Sequence, residues 1–218
     1  MVLSKYTADQ NIATVTSHGP TVYNLGNITW VLVSAGLVFL MVPGIAFFYS
    51  GLLRRKNALT MLAMLMAVMA VASIEWFFWG FSLSFSEGAS SFIGDLKHFG
   101  LMHVDMDVAT GGSTIPQLVY CVYQMMFAAL TPAIACGAFA DRARMGPVLL
   151  FTFCWSTIVY NPIACWTWNV DHGWSEKLGN LDYAGGTPVH ISSGTAALVI
   201  SLYLGRRRGY GTEALTYR

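Results

Sequence analysis

The stretch that decides the fold is Ile28–Gly51, which reads ITWVLVSAGLVFLMVPGIAFFYSG and contains no ionisable Asp, Glu, Lys, Arg or His. About 20 such residues are enough to span the hydrocarbon core of a bilayer as a helix. Backbone groups inside a membrane must be satisfied within the segment, and no stretch of the chain alternates like a barrel strand. The sequence therefore predicts an all-α membrane protein, with further spans at Ala58–Phe85, Thr114–Phe139, Gly146–Trp168 and Thr187–Leu204.

The composition excludes several classes of protein. Of the 218 residues, 55% are hydrophobic and only 11% are charged, whereas soluble domains carry roughly 25% charged residues. The net charge of +1 provides no electrostatic footprint for nucleic acid. Because no nucleotide-binding, hydrolase or metalloprotease motif is present, we expect neither an enzyme nor a bound cofactor or metal. All four cysteines fall in apolar runs, which predicts buried structural thiols.

Basic residues mark one side of the predicted bundle, because they concentrate in the turns after the first, third and fifth spans. This side should be cytoplasmic by the positive-inside rule. We therefore expect an extracellular N-terminal segment at 1–27, a membrane unit at 28–204 and a truncated cytoplasmic segment at 205–218. The basic turns contain Arg54, Arg55, Lys56, Arg142, Arg144, Arg206, Arg207 and Arg208, and the opposite side has only Lys5, Lys97 and Lys177.

Ionisable side chains at membrane depth are costly and often mark a pathway or a partner. Glu75 lies midway along the second span, where it is either a structural carboxyl bonded to another helix or part of a pathway. His190 lies about one turn into the fifth span, with Gly186 and Gly194 four residues before and after it. This imidazole on a stripe of small residues is either a core histidine or a pore histidine. Asp182 precedes the same span and can cap its free N–H groups.

Aromatic residues near the outer side also have two interpretations. Trp168 ends the fourth span, where it belongs either to the interfacial aromatic belt or to a pore mouth that holds a cation over the ring. Tyr123 and Phe127 are four residues apart on the third span, which by itself indicates core packing. Three spans contain potential helix breakers, at Pro43-Gly44, Thr131-Pro132 and Asn161-Pro162.

Four segments together resemble the ammonium transporters of the Amt/Mep/Rh family, and most closely the fungal Mep-type permeases. This resemblance implies that the chain forms one half of an eleven-helix inverted-repeat channel fold. A five-helix unit with its ends on opposite sides of the membrane agrees with such a half. The segments are PGIAFFYSGLLRRKN at 43–57, YQMMFAALTP at 123–132, NPIACWTW at 161–168 and DYAGGTPVHI at 182–191.

The resemblance also implies roles for individual residues. Trp168 aligns with the tryptophan of an outer site that recruits ammonium, and Phe127 aligns with a ring that gates the pore below it. Asp182 aligns with the acidic residue that supports this site, and His190 aligns with the first of two pore histidines. Many relatives have histidine where Cys165 stands. The resemblance further implies a homotrimer in the plasma membrane whose substrate is ammonium or ammonia.

The implied mechanism is recruitment of ammonium at the aromatic mouth, loss of its proton, and passage of ammonia through an apolar pore. The family's second pore histidine belongs to a second half, so we expect the 218 residues alone not to conduct. Two alternatives remain at this level. One is a membrane protein that senses ammonium, and the other is an inert truncated fragment.

Overall fold

The computed structural model describes residues 5–6, 11–16, 19–109, 114–207 and 210. Five of its helices are long and apolar enough to cross a membrane, as predicted. Four of them begin one to three residues earlier than the apolar stretches suggested, because residues before the apolar run, such as Arg55, are also helical, and the third begins three residues later. The spans are Leu25–Leu52, Arg55–Phe85, Gln117–Phe139, Met145–Trp168 and Gly186–Leu204.

Several spans are divided into shorter helices, whose bounds fix the labels used below. The first span is α1 (Leu25–Leu52), and the second consists of α2 (Arg55–Glu75), a π-helical turn at Trp76–Gly80 and α3 (Phe81–Phe85). The third is α4 (Gln117–Ala135) followed by a 3₁₀ turn at Cys136–Phe139. The fourth is α5 (Met145–Trp155), a π-helical turn at Ser156–Tyr160 and α6 (Asn161–Trp168). A short α7 (Trp174–Lys177) precedes the fifth span, which is a π-helical turn at Gly186–Ile191 and α8 (Ser192–Leu204).

The helix breakers do not act where the sequence suggested. Pro43 lies inside the continuous α1, and Pro132 lies inside α4. Only Asn161-Pro162 coincides with an irregularity, since α6 begins there directly after a π-helical turn. In lipid a proline can stay within a helix when neighbouring groups accommodate the freed carbonyl.

The N-terminal segment contains β-structure that the sequence analysis did not predict. Three antiparallel strands, β1 (Lys5–Tyr6), β2 (Asn11–Thr16) and β3 (Gly19–Asn24), pair in the order β1-β2-β3. The last strand leads directly into α1, and the backbone N–H of Asn24 donates to the carbonyl of Thr114 at 3.1 Å. The sheet is thereby fastened to the start of the third span.

The third span lies at the centre of the helical packing. Within its most apolar window 56% of the residues are buried, compared with 22% in the first and fifth spans. Its Leu130 and Met126 pack with Val42 of α1 and with Leu65 and Val68 of α2 in one apolar cluster. The fifth span packs against the third span and, through its π-helical turn, against α6, and much of its remaining surface is exposed in this chain.

The polar connections separate into two ends of the bundle, and this separation agrees with the predicted grouping of the basic turns. At one end the Asp141 carboxylate accepts hydrogen bonds from Asn57 and, at 3.3 Å, from Arg207, while Arg142 donates to the carbonyl of Gly205 at 2.8 Å. These contacts join the turns after the first, third and fifth spans. At the other end the Trp166 indole donates to the carbonyl of Phe92 at 2.7 Å.

The prediction of four buried cysteines is wrong at one position. Cys121, Cys136 and Cys165 are buried, whereas Cys154 is exposed on α5. An apolar environment for Cys154 requires lipid or another protein surface, because in this chain it faces outward.

Candidate functional site

Three aromatic side chains meet near the outer end of the bundle. The rings of Phe127 and Trp168 lie 5.8 Å apart between centroids at an angle of 62°, and those of Tyr123 and Phe127 lie 5.0 Å apart at 83°. Edge-to-face arrangements of this kind are favourable between aromatic rings. All three side chains are partly buried, and Trp168 packs against Phe127 of the third span.

Asp182 caps the start of the fifth span, as its position predicted. Its Oδ1 accepts hydrogen bonds from the backbone N–H groups of Gly185 at 2.7 Å and Gly186 at 2.9 Å, and its Oδ2 accepts from that of Thr187 at 2.7 Å. Burial opposes ionisation of this carboxyl, but the three N–H donors outweigh it and lower its pKa below the ordinary value. A negative charge is also favourable beside the positive end of a helix.

The same loop holds the tryptophan ring. The indole N–H of Trp168 donates to the backbone carbonyl of Asp182 at 2.7 Å. Gly185 between them has a φ of +75°, a conformation that residues with a Cβ rarely adopt, and a Cβ there would lie 2.8 Å from Val189 and 3.3 Å from the Trp168 ring. The loop therefore requires glycine at this position to bring the cap and the ring together.

His190 lies in the π-helical turn that follows. Its backbone N–H donates to the carbonyl of Gly185 at 3.0 Å, and its Nδ1 lies 3.1 Å from the same oxygen. Because a carbonyl oxygen only accepts, this contact keeps the proton on Nδ1 and leaves Nε2 as an acceptor in the neutral ring. The imidazole is exposed in this chain, as are Gly186 and Gly194.

The regular helical spacing assumed for His190 is wrong in one respect. In the π-helical turn its backbone pairs with Gly185, five residues earlier, so Gly186 is not one regular turn below it. His190, Gly186 and Gly194 are nevertheless all exposed in this chain. None of the described residues covers the His190 side chain.

Glu75 is buried in the interior of the bundle, and its carboxyl bonds to another helix, which was one of the two interpretations. Its Oε1 accepts from the Asn161 side-chain amide at 2.7 Å and from the Thr157 hydroxyl at 3.1 Å. Trp79 donates its indole N–H to the same hydroxyl at 3.0 Å. This group is separate from the aromatic cluster and links the second and fourth spans.

The structure thus links three of the predicted site residues by direct contacts and the fourth, His190, through the turn that Asp182 caps. Phe127 contacts Trp168, Trp168 bonds to Asp182, and Asp182 caps the turn that contains His190. Sequence reasoning missed Tyr123, which it assigned to core packing, and Gly185. The four-residue spacing of Tyr123 and Phe127 was the signal for the first, and the Gly185-Gly186 pair before a span was the signal for the second.

Comparison with known proteins gives the same family as the motifs. Residues 29–218 match the family model described as Ammonium Transporter Family. The chain is 52% identical over 190 residues to ammonium transporter 1 of Schizosaccharomyces pombe, a match that covers 87% of this chain and 38% of that protein. It is 48% identical to ammonium transporter MEP2 of Saccharomyces cerevisiae, covering 86% of this chain and 38% of that protein.

Solved structures show the same fold. The crystal structure of Candida albicans Mep2 superimposes with a TM-score of 0.79 at 43% identity, covering 85% of this chain and 40% of that one. The crystal structure of Saccharomyces cerevisiae Mep2 also gives 0.79, at 47% identity. The chain spans about two fifths of the length of these relatives, which are named as transporters and not as enzymes. With a family model matching 190 of its 218 residues, this multi-pass membrane chain belongs to the ammonium transporter family.

Proposed function

We propose that this chain forms one wall of a path that carries ammonium across the plasma membrane. Ammonium is held at the outer end over the Trp168 ring and gives up its proton, which is relayed by the neutral imidazoles of His190 and of the second pore histidine, while ammonia passes Phe127 and His190. The single observation that carries the proposal is the continuous series of contacts from Phe127 through Trp168 and Asp182 to the turn of His190. The relatives named above are ammonium transporters, which supports the choice of substrate.

The chemistry of the site suits this substrate. A small cation over an indole face gains about 0.5–2 kcal/mol, and Asp182 adds a negative charge behind the ring. A charge at the centre of a bilayer costs several kcal/mol, so loss of the proton lowers the free-energy barrier to crossing the hydrocarbon core. The free Nε2 of His190 is an acceptor for the N–H groups of ammonia or ammonium. Potassium has no proton to give up and would be rejected.

The exposed side of the fifth span is the place for the second wall. His190, Gly186 and Gly194 are uncovered here, and glycines let a neighbouring helix approach closely. The relatives are more than twice as long as this chain, which fits a pore completed by a second set of helices. The 218 residues alone are therefore proposed not to conduct, and the complete protein is proposed to be a homotrimer.

The N-terminus is proposed to lie outside and the basic turns in the cytoplasm. The contacts of Asp141 and Arg142 gather those turns at one end, and the aromatic site is at the other. Transport is preferred over the sensing alternative because the curated relatives, at 41–52% identity, are named transporters. A structure described as a sensor Amt protein is less similar, at 26% identity.

The test uses a chimera in which residues 29–218 replace the matching part of the S. pombe ammonium transporter 1. The chimera is expressed in yeast that lacks ammonium transport, and both growth on low ammonium and ammonium currents are measured. We expect His190→Ala to remove most of the current, whereas the matched variant His172→Ala, in the outer loop, retains it. His190→Glu should weaken the rejection of potassium.

Normal current and selectivity in His190→Ala would show that the imidazole only packs. Growth supported by the 218 residues alone would contradict the need for a second wall. A chimera that reaches the plasma membrane but takes up no ammonium would contradict the proposed function itself.

A further inference from the structure

The buried carboxyl of Glu75 lies between two irregular turns at the same level of adjacent spans. It directly precedes the π-helical turn Trp76–Gly80, and its bonding partner Thr157 lies within the π-helical turn Ser156–Tyr160. Its other partner, Asn161, is the first residue of α6. The second carboxyl oxygen lies against Gly80, where a Cβ would approach it to 2.8 Å.

These partners are neutral, and within the described part of the chain Glu75 forms no ion pair. A buried acid with only neutral donors contributes little net stability compared with an apolar residue of the same size. Both of its hydrogen bonds are to Oε1, and the buried Oε2 has no hydrogen-bond partner among the described residues. Such a group is suited to fixing one register between two elements, because a shift of either element would remove the two bonds at Oε1 as well. The register in question is that of α6 against the second span.

The start of α6 is also the start of the helix that ends in the site. Trp168 is its last residue, seven positions after Asn161, which is about two turns along the same face. Ser84 of α3 fastens both ends of this helix, since its hydroxyl donates to the carbonyl of Asn161 at 3.4 Å and its carbonyl accepts from Asn169 at 3.2 Å. A shift of Asn161 against the second span would therefore also displace Trp168, because both residues belong to the same short helix.

We propose that Glu75 is a positioning residue for the outer site, which sets the register of α6 through Asn161 and Thr157 and thereby places the Trp168 ring. It lies too far from the ring to touch the substrate, because seven helical residues rise about 10 Å. The inference rests on the proposed function and adds a residue on a different span from any that forms the site.

The test measures ammonium uptake against concentration in the same chimera, normalised to the protein in the plasma membrane. Glu75→Leu keeps bulk but removes both acceptors, and we expect the half-saturating concentration to rise about threefold to tenfold, as for one misaligned cation–π contact. The maximal rate should change by less than about twofold, since the pore below the site is untouched. Glu75→Gln keeps an acceptor oxygen for Asn161 and should restore the value of the unsubstituted chimera.

Thr152→Val is the matched control, because Thr152 is also buried on the fourth span but bonds only to Val148 within its own helix. We expect it to leave the half-saturating concentration unchanged. If Glu75→Leu does not reach the membrane, Thr157→Val is measured in its place. This variant removes the hydroxyl that donates to Glu75 and should raise the half-saturating concentration by a smaller factor.

An unchanged half-saturating concentration in Glu75→Leu, or in Thr157→Val where the former is not delivered, would overturn the inference. So would a fall in maximal rate alone, or failure of Glu75→Gln to rescue, because these indicate a merely structural carboxyl. Absence of uptake by the unsubstituted chimera would overturn the proposed function and the inference together, and is thereby distinguished from these results.

Discussion

Replacing Asp182 tests whether the cap holds the outer site together. In the native chain its carboxylate accepts three backbone N–H bonds of 2.7–2.9 Å, from Gly185, Gly186 and Thr187. Loss of a capping side chain costs about 0.5–2 kcal/mol, and hydrogen bonds to a charged group lie in the upper part of this range. We expect Asp182→Ala to cost about 2 kcal/mol locally, and Asp182→Asn, which keeps one acceptor oxygen, to cost about 1 kcal/mol.

The assay is amide hydrogen exchange of the peptide at 180–192, read by mass spectrometry in the detergent-solubilised chimera. A local cost of about 2 kcal/mol corresponds to roughly 30-fold faster exchange through local opening, and about 1 kcal/mol to roughly fivefold. A peptide from α4, at 117–135, should keep its exchange rate in both variants. If the 180–192 peptide is equally protected in the native chain, in Asp182→Asn and in Asp182→Ala, the Asp182 carboxylate does not stabilise the start of the fifth span.

The pH dependence of the same peptide has a definite sign. Because the pKa of Asp182 is lower in the folded chain than in the unfolded chain, its stabilisation is fully present above the unfolded value of about 3.9. It is lost as the pH falls through the lower folded pKa. After correction for intrinsic exchange, the native peptide should therefore lose protection only below about pH 4, and Asp182→Ala should not show this step.

Three further predictions concern neighbouring groups. Trp168→Leu in the chimera should raise the half-saturating ammonium concentration about 2- to 30-fold, since the leucine has no ring face, and an unchanged value would place Trp168 in the aromatic belt. Gly185→Ala should speed exchange of the 180–192 peptide, because φ is +75° and a Cβ would lie 2.8 Å from Val189, whereas Gly186→Ala has room and should not. Burial opposes ionisation of Glu87, but the hydrogen bond from Lys97 and the nearby positive charges outweigh it and lower the pKa of this carboxyl. Glu87→Gln should therefore reduce the free energy of unfolding by less than about 1 kcal/mol at pH 7, and should have no effect at a pH below the folded pKa. A thermal-melting shift that persists at acid pH would contradict the last of these.

The five spans were predictable because their length and apolar composition leave few alternatives in a bilayer. The divisions inside them were not, since an apolar run such as Phe77-Phe78 has the same composition in an α-helical or a π-helical turn. The N-terminal strands were missed although Thr14, Val15, Thr21 and Val22 are β-branched residues typical of strands. The sequence analysis placed that segment outside the membrane and assigned it no secondary structure.

The sequence proposed the members of the candidate site but indicated none of the contacts between them. Trp168, Phe127, Asp182 and His190 stand on three different spans and one loop, and nothing in their spacing shows that Trp168 donates to the carbonyl of Asp182. The partner of Glu75 was similarly hidden. Asn161 was noticed only because a proline follows it, whereas its amide donates to Oε1 of the buried carboxyl.

The three π-helical turns explain how the second, fourth and fifth spans place their polar groups. A π-helical turn contains one more residue than an α-helical turn, so the residues that follow it are rotated by roughly 100° about the helix axis. In the fifth span the carbonyl of Gly185 thereby meets the N–H groups of Val189 and His190 and the Nδ1 of His190. The cap and the Trp168 contact stay on the covered side, Ser192 and Ser193 remain buried, and the imidazole faces outward. The irregular turn thereby ties the imidazole to Gly185, the same residue whose N–H donates to Asp182 and whose conformation brings the cap and the Trp168 ring together.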